Sequence, residues 1–461
     1  MKRSLRNRRV SSPGLSSVIA CVLGIAFASP AWADRENSSR LPVGARPADI
    51  QALAARIQRT FNVPGMAVAI VKDGKVLVAH GYGVRAVGDP ATVDADTLFG
   101  IGSNTKAFTV AALAMLVDEG KLHWDDKVID HLPGFRLYDP YVTRELTVRD
   151  LLTHRSGLGL GSGDLMLFPS SDFTRAEIIH NLRFLPPASS FRSKFAYDNL
   201  LYIVAGELIP AITGISWETF VQTHILDRIG SGCIATRSLV AKTANVAAPH
   251  VLIDGSVTPV APDTSTAYDA AGSIQCNANG MAAWANVQLS GGRLADGGVL
   301  FTAAQHKEMW TPQTIEQVSV EAAAENHTHF RDYGLGWTVE DYMGALRVTH
   351  TGGLIGMVSY VSLLPEQHVG IVVLTNQQSG AAMSAMMQTL LDRFVGGAGS
   401  DRVAFWARKA AEDSAKSMSA DRSADAKVHD AGGHSLLPLA AYVGVYHDPW
   451  RGDATVSRHG D

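Results

Sequence analysis

Residues 97–120, TLFGIGSNTKAFTVAALAMLVDEG, decide how the rest of the chain is read. From Ala107 to Val117 the run is nearly all apolar, so as a helix it has no face for water and must lie in the middle of a domain. It opens on Ser103-Asn104-Thr105-Lys106, the only Ser-x-x-Lys in the chain. Residues three apart on a helix share a face, which sets an amine beside a hydroxyl. A serine hydroxyl is a poor nucleophile until a base takes its proton. The helix N-terminus adds partial positive charge near a developing oxyanion and helps to keep the lysine neutral. As a string the motif is weak, since a serine cap followed by a snorkelling lysine has the same letters. Its position gives it weight, because this helix would otherwise bury an unpaired lysine.

Working outward, residues 48–61 (ADIQALAARIQRTF) carry apolar positions at helical spacing, and Pro64-Gly65 leads into MAVAIVKDGKVLVAHGYGV. Asp73-Gly74 between two apolar runs predicts a hairpin. Near the other end LRVTHTGGLIGMVSYVSLLP and VGIVVLTN read as strands, and a helix follows over 381–395. A helix and strands first, helices in the middle, then strands and a helix again describe an α+β domain whose sheet is assembled from both ends of the chain, with a helical insertion.

The whole chain has 461 residues, 46% of them hydrophobic, with 40 Lys+Arg against 44 Asp+Glu. Such a chain can bury a large core, and neither disorder nor a coiled coil fits it. Residues 1–33 hold five of the basic residues and no acid, leaving the remainder near −9. That charge gives no footprint for a nucleic-acid backbone. The same 33 residues have a basic start, an apolar run from Val18 to Ala28 and Ala31-Trp32-Ala33, the pattern of a signal peptide. Its apolar run is too short for a transmembrane helix, which needs about 20 residues. Val18-Ile19-Ala20-Cys21 fits a lipobox, but the apolar stretch mostly follows the cysteine, which argues against lipid anchoring. The expected product is exported, periplasmic or secreted, with residues 34–47 as an extension and 48–399 as the main domain. Residues 400–435 read as a linker rich in Ala, Ser, Asp and Lys. Residues 436–461 read as the start of a β-rich domain, either truncated here or docked on the main one.

Two further motifs lie at element ends. Tyr197-Asp198-Asn199 precedes the apolar run NLLYIVAGELI. Its phenol can act as phenolate or pass a proton to a leaving group, and the Asn199 amide can donate to an acyl carbonyl or hold Lys106. His350-Thr351-Gly352-Gly353 ends a strand, where a substrate can pair with backbone. The N–H groups of Gly353 and Ser103 together would form an oxyanion hole. Each motif alone has an ordinary structural explanation, and the ordered set of three is what carries the chemistry. Cys233 and Cys276 are either a bridge or two separate buried thiols. His327-Thr328-His329 with Asp332 lacks proper metal-ligand spacing, so no metal and no cofactor is expected.

With these motifs on the page, the chain resembles the penicillin-recognising serine hydrolases: class C β-lactamases, D-alanyl-D-alanine carboxypeptidases of the His-Thr-Gly type, D-aminopeptidases and esterases of that fold. The likeness covers about residues 48–395 and extends to VPGMAVAIVKDGK, LTVRDLLTHRSGL, AAGSIQCNANGMAAW and YGLGW. It implies an antiparallel sheet flanked by helices, an all-helical lobe, and a site between them. It makes Ser103 the acylated nucleophile, Lys106 its base or the base's partner and Tyr197 with Asn199 the second motif. His350, Thr351, Gly352 and Gly353 then form the substrate-binding strand. A histidine stands where the β-lactamases have lysine, and it is expected to hold a substrate carboxylate less strongly. His154 and Ser156 are expected to brace the helical lobe. The implied activity is that of a serine acyl hydrolase on a β-lactam, a D-amino-acid peptide or a short ester, with peptidase or esterase ahead of true β-lactamase. A binding sensor that is acylated once without turnover is the alternative of another class.

Overall fold

The run Gly65–Lys72 is buried along almost its whole length and alternates between two cores. Met66, Val68 and Ile70 enter one, while Ala67, Ala69 and Val71 enter the other. A strand with period-two side chains can do this only at the centre of a sheet covered on both faces. The computed structural model describes residue 42 and residues 45–460, apart from 169–170, 242–244, 398 and 431–436. The expected signal peptide, with Cys21, and the extension up to residue 41 lie outside the described residues.

The central sheet has eight strands in the spatial order Lys75–Gly83, Gly65–Lys72, Val369–Thr375, Met357–Leu364, Ala345–Leu354, Thr338–Tyr342, Arg331–Tyr333 and Thr314–Ile315, every neighbouring pair antiparallel. N-terminal strands therefore pair with C-terminal ones, as the α+β reading requires. The Asp73-Gly74 turn has both residues at positive φ, 51° and 76°, which suits the twist of a two-residue hairpin. Helices Pro47–Phe61 and Gly380–Val395 cover one face, the first through Ile50, Ala54 and Ile57. On the other face lie the helices Ala278–Leu289 and Thr105–Asp118. The latter is buried from Thr105 to Leu116, as its composition demands.

A helical lobe made of Val128–His131, Pro140–Glu145, Val148–Leu152, Arg175–Asn181, Leu200–Thr213 and Trp217–Val221 packs against the free side of that helix. This is the β-lactamase-like arrangement of an antiparallel sheet and helices beside a helical lobe. Among the described residues no single helix is long and apolar enough to cross a membrane.

Residues 400–435, read as a linker, include one helix, Arg402–Asp430. Its first turn belongs to the main domain, because Arg402 and Val403 are buried and the Arg402 guanidinium donates to Asp392 and to the Glu325 carbonyl. Composition hid this, since the polar stretch downstream dominates the segment. The tail forms a hairpin of Gly444–Asp448 and Gly452–Val456. Trp450 in its turn packs on the helical lobe, where Asn181 donates to the Trp450 carbonyl.

Candidate active site

A short 3-10 turn, Gly102–Asn104, leads into the helix Thr105–Asp118, and Ser103 sits in it, one turn ahead of Lys106. Lys106 is fully buried, and its Nζ lies 2.9 Å from Ser103 Oγ, 2.9 Å from Asn199 Oδ1 and 3.0 Å from the Ala271 carbonyl. Burial pulls the amine down to about 7, against the opposing pull of Asp164 and Asp198. A neutral amine donates two hydrogens and accepts one. The two fixed acceptors, Asn199 Oδ1 and the Ala271 carbonyl, leave its lone pair for the Ser103 hydroxyl.

Asn199 ends the loop before Leu200–Thr213, and its own amide is oriented by a residue the sequence motifs do not contain. Its Nδ2 donates to both carboxylate oxygens of Asp164, at 3.2 and 3.1 Å. Of the two roles read for Asn199, holding Lys106 is therefore the one its geometry performs. Asp164 lies in the glycine-rich run GLGSGDLM, where nothing marks it as part of a site.

Tyr197 is half-buried beside Ser103, close enough for that hydroxyl to bias its ionisation, though its own sealed hydroxyl completes no hydrogen bond. Burial raises it above its ordinary value. Burial therefore works against the phenolate form. Its ring centroid lies 4.9 Å from Lys106 Nζ and 4.2 Å from that of His154, the two rings tilted by 31°. His154 has a positive φ of 53°, and its Nδ1 accepts from the Asp198 N–H. Burial also holds its pKa well below the ordinary histidine value. His154 thus braces Tyr197 directly, while Ser156 is confined to its own loop by a bond from the Leu158 N–H.

The structure changes the reading of His350. It is 6% exposed, with Nδ1 2.6 Å from the Thr351 carbonyl and Nε2 2.9 Å from the Tyr333 hydroxyl. A carbonyl only accepts, so Nδ1 carries the hydrogen and Nε2 takes one from Tyr333. Burial, helped by Lys106, pushes the ring down to about 3. Both ring nitrogens of His350 are thus engaged, one by Tyr333, and burial disfavours its cation. Tyr333, from the string YGLGW, is the second residue, after Asp164, that the motif reading missed.

The end of the His350 strand comes against the Gly102–Asn104 turn backbone to backbone. Gly102 has φ of +52°, and a Cβ there would meet Gly353 N at 2.6 Å; one at Gly352 would collide with the Ile101 carbonyl. Only glycine allows this approach, which sets Gly353 beside Ser103. Strand Thr338–Tyr342 pairs with this strand only as far as Thr349, and Thr351 and Gly353 are exposed. Cys233 and Cys276 are joined, Cα to Cα 4.4 Å, behind the short strand pair Phe99–Gly100 and Gln275–Cys276 that feeds the Gly102–Asn104 turn. Among the described residues no cluster of His, Cys, Asp or Glu could hold a metal, and His329 is engaged by Asp341.

Residues 50–393 match the Beta-lactamase family. The chain belongs to that family. Among relatives of this β-lactamase-family chain, an unguisins hydrolase from Aspergillus violaceofuscus is 27% identical over 427 residues, 85% of this chain and 73% of the relative. Protein flp of Staphylococcus aureus is 28% identical over 330 residues, covering 69% of this chain, which in turn spans 60% of that protein's length. The structure of the octameric penicillin-binding protein homologue from Pyrococcus abyssi superposes with a TM-score of 0.65 at 25% identity, over 76% of this chain and 77% of that one. The family fold and the family's serine-hydrolase character are those of this chain.

Proposed function

We propose that this β-lactamase-family hydrolase is an exported serine acyl hydrolase that works through an acyl-enzyme on Ser103, and that it is a peptidase or esterase rather than a true β-lactamase. The observation that carries the reading is the lysine amine at 2.9 Å from the serine hydroxyl, its affinity for a proton brought down to about 7 by burial. Lys106 takes the Ser103 proton as the oxygen attacks the carbonyl carbon. The N–H groups of Ser103 and Gly353 receive the oxyanion. Tyr197, still protonated, gives its proton to the departing amine or alcohol and regains one from Lys106. Water then attacks the acyl-enzyme by the reverse route.

His350 supports the choice among substrates. With that ring neutral and engaged by Tyr333, the strand offers no cation for the carboxylate that a classical β-lactamase grips at this position. The naming of one relative as a hydrolase of unguisins agrees with hydrolytic turnover. Export rests on the expected signal peptide, together with a disulfide, which persists in oxidising compartments.

The test is a time course with a short-chain nitrophenyl ester and a chromogenic cephalosporin, followed by intact mass, on the wild type and Ser103→Ala. Ester turnover with a slow or stalled cephalosporin adduct is expected, and both should vanish in the variant. Labelling that survives Ser103→Ala would remove the nucleophile from the proposal, and rapid cephalosporin turnover would make the chain a β-lactamase. An adduct that forms once and never releases product would mark a sensor.

A further inference from the structure

The helical turn Asp269–Gly272 lies directly behind Lys106. Its Ala271 carbonyl accepts from Lys106 Nζ at 3.0 Å, and its Ala270 carbonyl accepts from Thr109 Oγ1 at 2.7 Å. Just beyond it, the Ile274 N–H donates to Thr105 Oγ1 and the Ile274 carbonyl accepts from the Ile101 N–H. These bonds tie the segment to the stretch 101–109, in which Ser103 and Lys106 lie. The turn has little bulk of its own, because Ala270, Ala271 and Gly272 bring only two methyl groups between them. So small an apolar area contributes little to holding a carbonyl in place, and polar bonds have to fix its position.

Those bonds are made by the first residue of the turn. Asp269 is wholly buried, and both of its carboxyl oxygens are held. Oδ2 accepts from Arg175 Nη2 at 3.1 Å, and Oδ1 accepts from Thr236 Oγ1 at 3.0 Å. Burial raises this carboxyl above its ordinary value, and Arg175 opposes the rise. Arg175 is itself fixed on several sides. It donates to the Thr266 carbonyl shortly before the turn, and it pairs with Glu207 on the helix Leu200–Thr213 and with Glu218 on Trp217–Val221. Trp217, next to Glu218, donates through Nε1 to the same Thr109 hydroxyl that meets Ala270. Gly206 closes on the turn so tightly that a Cβ there would meet Ala270 Cβ at 2.4 Å. Neither Arg175 nor Asp269 belongs to any of the three sequence motifs.

We infer that Asp269 and Arg175 are positioning residues for the serine–lysine pair. They hold the turn so that the Ala271 carbonyl and Asn199 Oδ1 take the two hydrogens of the Lys106 amine, which leaves its lone pair facing Ser103 Oγ. With the turn displaced, the amine is free to rotate, and the Ser103 proton loses its aligned acceptor as the oxygen attacks. The inference rests on the reading of Ser103 as nucleophile and Lys106 as its base, and deepens it. A plain stitch across the helical lobe has a different consequence: stability is lost, and the folded enzyme is still acylated at its full rate.

The test follows labelling of the full chain by a small alkyl fluorophosphonate, in which Ser103 Oγ displaces fluoride, by intact mass and well below the unfolding temperature. In Arg175→Ala the maximal labelling rate is expected to fall at least about tenfold, while the reagent concentration that gives half of it holds. Arg175 lies on the wall of an open depression of about 1000 Å³, also lined by Glu218, Thr236 and Thr266, so methylguanidinium can reach the vacated place. Millimolar methylguanidinium should restore the rate in a saturable way. Methylammonium, which lacks the planar fork, should not. Thr236→Val keeps the ion pair, removes the bond to Asp269 Oδ1 and should slow labelling several-fold. Full-rate labelling of folded Arg175→Ala would overturn the inference, and where that variant does not fold, full-rate labelling of Thr236→Val would do so. A loss that methylguanidinium does not relieve would assign the effect to a disturbed fold and overturn it too. Failure of the serine reading is distinguishable, since Ser103→Ala would then be labelled as fast as the wild type, and this inference would fall with it.

Discussion

At the residue scale the site turns on the protonation of one amine. Lys106 must be neutral to act as base, and burial brings it to about 7. Its neutral fraction grows as pH rises through that value, so kcat/KM should climb with pH across the neutral range. The carboxyl groups facing the amine are Asp164 and Asp198, both of which favour the ammonium when ionised, and burial raises Asp198 to about 7, so it ionises over the same range. His154 and His350 are held neutral by burial and add no charge, and Tyr197 remains a phenol. Asp164→Asn removes one of the two carboxylates, so the rising limb should move to lower pH, a shift that lost packing alone would not produce. An unmoved limb would show that Asp164 positions Asn199 without tuning Lys106. Ser103, Lys106, Tyr197 and Asn199 are legible in the chain because each belongs to a short string at an element end. Asp164 and Tyr333 are not, because they reach the site by tertiary packing from a glycine-rich loop and from a separate strand. The neutrality of His350 was equally hidden, since it depends on burial and on a tyrosine 17 residues away.

At the scale of elements, the nucleophile turn is held by what lies behind it. Phe99 pairs with Cys276 and Gly100 with Gln275, and the disulfide ties that strand pair to Cys233, 43 residues earlier. Closing a loop of that length constrains the unfolded chain by about 4 kcal/mol in the loop-entropy account. Cys233→Ser with Cys276→Ser should therefore lower unfolding stability by up to about that amount. It should also blunt turnover through the loosened Gly100–Ser103 segment. Urea midpoints and ester kinetics on the same samples check both, and equal midpoints would show that the bridge adds no stability. The sequence named both cysteines but could not join them, because a pairing is a distance and no periodicity encodes it. Helices and strands were more legible. Pro47–Phe61, Gly380–Val395 and the strands Gly65–Lys72 and Val369–Thr375 bury continuous or periodic apolar positions, which the letters display.

For the whole molecule, the question is how the tail bears on the site. The hairpin turn carries Trp450, near Phe173 at 6.3 Å, and Arg451, which donates to the Leu165 carbonyl at 2.6 Å. Leu165 follows Asp164, whose carboxylate accepts from the Asn199 amide. The tail therefore rests on the loop that orients Asn199, while the sheet core lies elsewhere. Trp450→Ala should raise amide exchange in residues 159–168 and 175–181 and leave the strands Gly65–Lys72 and Val369–Thr375 unchanged. Because Asp164 would be held less firmly, ester turnover should fall several-fold in the same variant, without loss of global stability. Exchange that is unchanged in the loop, with wild-type kinetics, would mean that the hairpin is carried by the domain without bracing it.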